Sequence, residues 1–285
     1  MVSSTRVSPC GRLYIVATPI GNLADISGRA AQILGSVGVI ACEDTRRSRT
    51  LLDHLNIFQP SLLSLHAHNE QKQSEVLVRL IEEGTDVAVI SDAGTPLISD
   101  PGFTLVRAVW KLGIKPIPVP GASSLTAILS VSPIPLNDCK FVGFLPSKAE
   151  LCRNRLKLLL RSMSSLVFFE SAQRLSNTIA ILKELGAGNR CLFVGRELTK
   201  QYESFYWGKP DEVLDELLRE NGLRGEFVCV LQGGAVYPKT ELELDETLEV
   251  LLQELSPAQA SRLAAKLTGS TKRQVYLRAM ELADI

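Results

Sequence analysis

The stretch Ser91-Asp92-Ala93-Gly94-Thr95-Pro96-Leu97-Ile98-Ser99-Asp100-Pro101-Gly102 lies between the apolar run Val87-Ala88-Val89-Ile90 and a helix-patterned segment from Phe103 to Leu112. A short continuous apolar run reads as a strand buried on both faces, the kind found in parallel sheets. Small, turn-forming residues at its carboxyl end, followed by a helix, place backbone amides where ligands sit in open α/β sheets. Gly94 and Gly102 allow close backbone approach, while Pro96 and Pro101 fix the loop before anything binds. An ordinary βα turn uses the same residue types, so the rest of the chain has to decide between the two.

Working outward, the same unit recurs. Leu13-Tyr14-Ile15-Val16-Ala17-Thr18 reads as a buried strand broken by Pro19-Ile20-Gly21-Asn22, with a helix over 25–34 capped by Asp25. Val39-Ile40-Ala41-Cys42 leads into Glu43-Asp44-Thr45-Arg46-Arg47 and a helix to about Leu55. A third strand is expected over 62–66, then a helix over 70–83. Beyond the opening stretch, Lys115 to Pro120 leads into Gly121-Ala122-Ser123-Ser124 and a helix from Leu125. Strand, loop and helix repeated five times predict a parallel sheet with right-handed crossovers.

The cluster Ser132-Pro133-Ile134-Pro135 marks a domain boundary. After it, strands are predicted over 140–145, 166–169, 192–194, 204–207 and 227–231, with helices over 150–161, 172–185 and 210–220. The strands at 192–194 and 204–207 are too close for a crossover helix, so they form a hairpin and the sheet is mixed. The expected fold class is α/β: a parallel-sheet N-terminal domain at 11–130, a mixed-sheet second domain at 131–236, and a small helical tail at 237–285. Residues 1–10 are polar and expected to be disordered.

Composition narrows the function. With 45% apolar and 22% charged residues the chain is globular. Its formal net charge is zero, so a polyanion would have to be held by a local patch. The six cysteines (10, 42, 139, 152, 191 and 229) show no Cys-x-x-Cys spacing. No signal peptide or membrane span is read, which points to the cytoplasm.

Charge is uneven past Gly233-Gly234. From Glu241 to Glu254 there is no Lys or Arg, and from Ser256 to Met280 no Asp or Glu. Ser256-Pro257 starts a helix, and Gly269-Ser270 separates it from a second one carrying Lys272, Arg273 and Arg278. The outline is helix-turn-helix, for a nucleic-acid contact or for a plain docked hairpin.

Three loops of small residues (18–22, 91–96 and 120–124) end the first, fourth and fifth strands, which can crowd around one switch point. None has a Walker A or Gly-x-Gly-x-x-Gly pattern, so phosphate is not the obvious ligand. Amides and hydroxyls of Thr18, Thr95, Ser123 and Ser124 suit a nucleoside-like cofactor of little negative charge. His66 and His68 are expected on one strand face, but the third histidine is His54 and no cysteine is near, so metal is not favoured. Carboxylates at 43–44 precede Arg46, Arg47 and Arg49, and charged residues also end a strand at Gly195-Arg196-Glu197-Leu198-Thr199-Lys200. Phe169 ends another strand, for the core or for stacking on an adenine.

Taken in order, residues 13–23, Cys42-Glu43-Asp44-Thr45-Arg46, His68-Asn69-Glu70, 91–96, Pro120-Gly121-Ala122-Ser123-Ser124 and 195–200 closely resemble the tetrapyrrole-methylase-like (class III) methyltransferases, in particular the branch acting on small-subunit ribosomal RNA. The resemblance spans the chain except its first ten residues. It implies a two-domain, dimeric enzyme that binds S-adenosylmethionine between its domains and methylates the ribose 2′-hydroxyl of a cytidine in the decoding region of 16S rRNA. By similarity the cofactor contacts are Pro19, Ile20, Asp92, Ala93, Gly94, Thr95, Ile98, Ser123, Ser124, Phe169 and Phe227.

Such a transfer is an in-line displacement that needs alignment rather than a metal, helped by a base as the hydroxyl proton leaves. Glu43, Asp44, Glu197 and Lys200 are the candidates for proton handling, with His68 behind them. Arg46, Arg47, Arg49 and Arg196 read as phosphate clamps, and Lys272 and Arg273 as further RNA contacts. Two alternatives remain: a methyltransferase with a small tetrapyrrole-type acceptor, and a non-enzymatic RNA-binding protein. The basic tail argues against the first, and the three small-residue loops against the second.

Overall fold

A computed structural model of the chain describes residues 10–234 and 241–283, so most of the expected disordered N-terminus lies outside it. Contacts divide the chain into two compact units, the first ending at Gly233 and the second beginning at Gly234.

The first unit opens with the predicted repeat: β1 (Leu13–Val16), α1 (Gly28–Ser36), β2 (Val39–Cys42), α2 (Thr45–His54), β3 (Ser61–Ser64), α3 (Glu70–Glu82), β4 (Val87–Val89), α4 (Phe103–Lys111), β5 (Ile117–Val119) and α5 (Ser124–Ser130). All pairings are parallel, in the order β3-β2-β4-β1-β5. Alternate residues face opposite ways, as the period of two demands. Val16, Ile40 and Ala88 meet Leu34 of α1 and Leu52 of α2 on one face. Leu13, Ala41, Val87 and Val89 meet Leu77 and Ile81 of α3 and Leu105 and Val109 of α4 on the other. Both faces are covered, which explains why these strands read as unbroken apolar runs.

Two local expectations are corrected. Ser27, not Asp25, caps α1, accepting the Ala30 N–H at 3.1 Å. Asp25 is already inside a single 3-10 turn (Leu23–Asp25), and extended Ile26 separates that turn from the helix. The third strand stops at Ser64, so His66 and His68 occupy a turn and not a strand face. Asn69 closes that turn: its amide donates to the Ser64 carbonyl at 3.0 Å and its side-chain oxygen accepts the His66 N–H at 2.8 Å.

The unit continues with β6 (Cys139–Phe144), α6 (Ala149–Leu159), β7 (Ser165–Ser171), α7 (Ala172–Glu184), β8 (Leu192–Arg196), β9 (Ser204–Gly208), α8 (Pro210–Arg219) and β10 (Glu226–Leu231). Their order is β6-β7-β10-β8-β9, parallel between β6 and β7 and antiparallel elsewhere, so the sheet is mixed and the hairpin is β8–β9. One face packs against α6, α7 and α8 around Phe168, Leu182 and Leu217. The other receives Ile128 of α5 and Ile20, which meet Val167, Phe193, Val228 and Val230. Ile128 is fully buried, so its truncation to alanine would cost about 2–5 kcal/mol and loosen α5, whose first turn carries one of the three small-residue loops.

The described residues of the second unit form three helices, α9 (Glu241–Leu252), α10 (Pro257–Thr268) and α11 (Lys272–Ala283). Ser256 and Pro257 begin α10, and Gly269 ends it in the left-handed conformation at φ 67°. Leu248, Ala260, Ala264, Val275 and Ala279 form the core. The acidic run adds a helix to the expected pair, and its Asp245 holds the Arg278 guanidinium through bonds of 2.8 and 2.6 Å. Arg278 is therefore an internal clamp, whereas Lys272 and Arg273 are exposed. The six cysteines are all free, and no described helix is long and apolar enough to cross a membrane.

Candidate active site

The sheet order makes β4, β1 and β5 neighbours, so their three small-residue loops emerge side by side. They are laced together. Thr18 and Gly94 form an isolated antiparallel bridge. The Thr18 hydroxyl donates to the Ser91 carbonyl at 3.1 Å, and the Thr95 hydroxyl to the Ala122 carbonyl at 3.1 Å. These hydroxyls, expected to face a ligand, fasten loop to loop instead.

The joined loops form one wall of a cavity of about 450 Å³. Ile20, Asp92, Ala93, Gly94, Thr95, Ile98, Ser123 and Ser124 line it, while Pro19 is half-buried next to it and not in the lining. The second sheet supplies the opposite wall through Phe169, Phe227 and the loop of Glu197, Leu198 and Lys200. Phe227 is only 1% exposed, with its side chain in the core. Phe169 packs edge-on against Phe141 and Phe144, with centroids at 5.1 and 5.3 Å. Phe144 had no part in the sequence reading of the site. It reaches the cavity because β6 carries a register shift between Phe141 and Phe144 at Gly143, whose φ is 66°.

Charge in the cavity is arranged in pairs. Asp92 accepts the Asp44 N–H at 3.0 Å and an Arg47 N–H at 3.2 Å. Lys200 bridges Glu197 at 3.0 Å and Glu226 at 2.9 Å. Burial opposes ionisation of Glu197, but the Glu226 N–H and the Lys200 ammonium outweigh it and hold that carboxyl below its ordinary value. Burial likewise opposes the charge on Lys200, and the two carboxylates raise its pKa nonetheless. Asp100 behaves oppositely: burial first, then the Glu43 and Asp92 carboxylates, push it up to about 6 against a hydrogen bond from Ser91.

Of the four candidates for proton handling, Glu43, Glu197 and Lys200 line the cavity and Asp44 does not. Asp44 caps α2, and hydrogen bonds from the Arg46 side chain and N–H hold its carboxyl down at about 2. Arg47 is the one expected phosphate clamp in the lining; Arg46 and Arg49 are exposed on α2. His68 is exposed in its turn, its ring edge-on to His66 at 5.9 Å. Arg196 lines a smaller cavity of about 430 Å³ with Tyr202, Glu220, Asn221, Arg224 and Gly225, and Glu197 belongs to both cavities. Among the described residues no three His, Cys, Asp or Glu side chains are grouped to hold a metal.

The main cavity suits S-adenosylmethionine. Its volume is that of a small-ligand site. Phe144 and Phe169 offer apolar surface to a purine, and Glu43 and Asp92 oppose phosphate while favouring a sulfonium and an ammonium. A cofactor cleft built from a parallel sheet's loop ends and the wall of a mixed sheet defines a methyltransferase of the tetrapyrrole-methylase class.

Comparison agrees. The family model of tetrapyrrole (corrin/porphyrin) methylases matches residues 12–214, and that of the RsmI C-terminal HTH domain matches 239–283. The ribosomal RNA small subunit methyltransferase I of Xylella fastidiosa (strain Temecula1) is 43% identical over 272 residues, covering 95% of this chain and 99% of that one. The protein of the same name from Pseudomonas aeruginosa is 42% identical over 276 residues, covering 95% and 97%. Among solved structures, the methyltransferase CobJ gives a TM-score of 0.59 at 16% identity, over 79% of this chain and 95% of its own. Uroporphyrin-III C-methyl transferase from Thermus thermophilus, complexed with S-adenosyl homocysteine, gives 0.53 at 18%, over 78% and 97%. The chain belongs to the ribosomal RNA small subunit methyltransferase I family. It is an enzyme, and S-adenosylmethionine is its methyl donor.

Proposed function

We propose that the protein methylates small-subunit ribosomal RNA, and specifically the 2′-hydroxyl of a cytidine ribose in the decoding region of 16S rRNA, working as a homodimer in the cytoplasm. The observation that carries this reading is the reach of the likeness: alignments of 42–43% overall identity cover 95% of this chain, and the helical unit has its own family match over residues 239–283. A small-molecule acceptor gives no reason for the second unit. Exposed Arg46, Arg49, Lys272 and Arg273 give an RNA backbone cationic contacts that net charge alone does not offer.

Bound S-adenosylmethionine supplies an electrophilic methyl group on a sulfonium. The chain's own part is to hold and align. The laced wall of Asp92 to Thr95 and Ser123–Ser124 sets the cofactor's position before binding, which keeps the ordering cost low. Phe169 and Phe144 take its purine, with Ile20 and Ile98 beside them. Glu43 and Asp92 offset its positive charge, and Arg47 holds the Asp92 carboxylate in place. The Lys200 bridge holds Glu197 and Glu226 at the opposite wall, where the nucleotide would enter.

Labelled S-adenosylmethionine, small subunits lacking the modification and mapping of the label test the reading. One 2′-O-methylated cytidine in 16S rRNA is expected. Label on a ribosomal base would keep the RNA substrate and reject the ribose. Label on a tetrapyrrole acceptor alone would move the small-molecule reading, the activity named for several structural relatives, to the front.

A further inference from the structure

Six carboxylates line the main cavity: Glu43, Asp92, Asp100, Glu170, Glu197 and Glu226. Cations hold four of them, Arg47 on Asp92, Arg174 on Glu170, and Lys200 on both Glu197 and Glu226. Among the described residues, Glu43 and Asp100 have no salt-bridge partner. Glu43 is exposed, whereas Asp100 is half-buried.

The backbone around Asp100 is held under strain. Leu97 and Ser99 both adopt left-handed φ values, 69° and 72°, which L side chains rarely accept. Beyond Asp100, Gly102 turns at φ 124°, and the Glu70 carboxylate grips the Gly102 and Thr104 N–H groups at 3.1 and 2.7 Å. On the facing wall, Glu197 and Thr199 are likewise left-handed, at 49° and 65°. Four of the six non-glycine residues with positive φ among those described thus flank this cavity. Strain gathered there marks loops kept in one shape for what they present. The loop between β4 and α4 presents Asp100.

Resting on the ribose-hydroxyl reading above, we infer that Asp100 is the general base of the transfer. Its carboxylate accepts the proton of the acceptor hydroxyl. The hydroxyl oxygen forms a bond to the methyl carbon, the carbon–sulfur bond breaks, and its electron pair stays on sulfur as a neutral thioether. No oxidant, metal or further reactant is required.

The other candidates are less suited. Lys200 stays protonated and cannot accept, and Glu197 is a weakened base between Lys200 and the Glu226 N–H. Asp100, pushed up to about 6, remains ionised near neutrality while binding a proton more strongly than an ordinary aspartate. Glu43 after β2 and Asp92 after β4 face it with negative charge, Arg47 of α2 offsets Asp92, and Ser91 donates to it. The adjoining bend of β6, Gly143 and Phe144, adds no charge.

The test uses the full chain, with single-turnover methylation of small subunits across acidic and neutral pH and cofactor affinity by calorimetry. Asp100→Asn is expected to slow the transfer by roughly 10²–10⁴-fold, with cofactor affinity within about threefold of wild type. The wild-type rate should rise through an inflection near the Asp100 value of about 6. Glu43→Gln should move that inflection to lower pH, a readout that holds even if Asp100→Asn fails to fold. An Asp100→Asn enzyme that keeps its rate, or one that loses cofactor binding instead, overturns the assignment, as does an inflection unmoved by Glu43→Gln. If the wild type methylates no ribose hydroxyl, the underlying reading falls and this one with it; an active wild type beside an active Asp100→Asn rejects Asp100 alone.

Discussion

Thr18 and Gly94 exchange both of their backbone hydrogen bonds, Thr18 N–H to the Gly94 carbonyl at 2.9 Å and Gly94 N–H to the Thr18 carbonyl at 3.1 Å. Their parent strands β1 and β4 run parallel, so this antiparallel bridge forms only because the loop after β4 turns back at once. Gly94 makes that return at φ 86°, and a Cβ there would lie 3.1 Å from Ile20 Cγ2. Gly94→Ala is therefore expected to lose about 1–3 kcal/mol of stability and to weaken cofactor binding together, because strain and wall position share one residue. Thermal denaturation with and without S-adenosylmethionine checks this; a variant with normal stability and a normal cofactor-induced shift would show that the latch is dispensable.

Among the described residues, Lys200 is the one cation that lines the opposite wall, where Glu197 and Glu226 share it. Lys200→Met should let the Glu197 carboxyl rise toward its ordinary range and raise the negative charge facing the entering nucleotide. Since Lys200 is partly solvated, the stability loss should stay near 1 kcal/mol, while affinity for the small subunit falls more than affinity for the cofactor. Parallel titrations of the two ligands separate these effects, and an equal loss of both would place Lys200 in cofactor binding.

Glu70 begins α3 and also receives the first N–H groups of α4. Burial disfavours its charge, but those bonds outweigh burial and bring its carboxyl below its ordinary value. A depressed folded-state pKa gives stability that is complete above the ordinary value and lost as pH falls through the folded value. Glu70→Gln should flatten stability against pH on the acid side and leave the neutral side nearly parallel to wild type. Urea midpoints across that range test it; an unchanged acid limb means that other carboxylates govern acid unfolding.

The strands of the first sheet were legible because both their faces are buried, which leaves continuous apolar runs with turn residues at each end. The three cavity loops followed from that pattern. The start of α1 did not, because Asp25 and Ser27 are both good caps and only the single turn before Ile26 selects Ser27. The histidine pair left the strand because Asn69, a side chain that competes for backbone partners, closes the chain five residues after Ser64. Phe144 and Asp100 escaped notice for different reasons. A bulge turns Phe144 toward the cavity, and bulges have weak sequence signatures. Asp100 sat in the opening stretch as one more turn residue; its chemistry depends on Glu43, which is distant in sequence and adjacent only once β2 and β4 pair.

The smaller cavity beside Glu197 bears on how RNA is held. Arg196 donates through Nε to the Arg224 carbonyl at 2.9 Å, which aims its guanidinium along the same rim. Arg224 is exposed and has no ion-pair partner among the described residues, and Tyr202 is 65% exposed although it is aromatic. The carboxylates in this cavity are engaged elsewhere: Glu197 binds Lys200, and Glu220 accepts the Tyr206 hydroxyl at 2.8 Å. Two guanidinium groups and a free ring suit a phosphate and an unstacked base next to the target nucleotide. Arg224→Gln should weaken small-subunit binding and lower the slope of log affinity against log salt by about 0.7–0.9. Tyr202→Ala should cost about 1–3 kcal/mol of binding with the slope unchanged, because stacking releases no counterion. Cofactor affinity should stay constant in both variants, since neither residue lines the main cavity. If the Arg224→Gln slope equals that of wild type, the phosphates are held elsewhere, and Lys272→Gln and Arg273→Gln in the helical unit become the variants whose slopes should change.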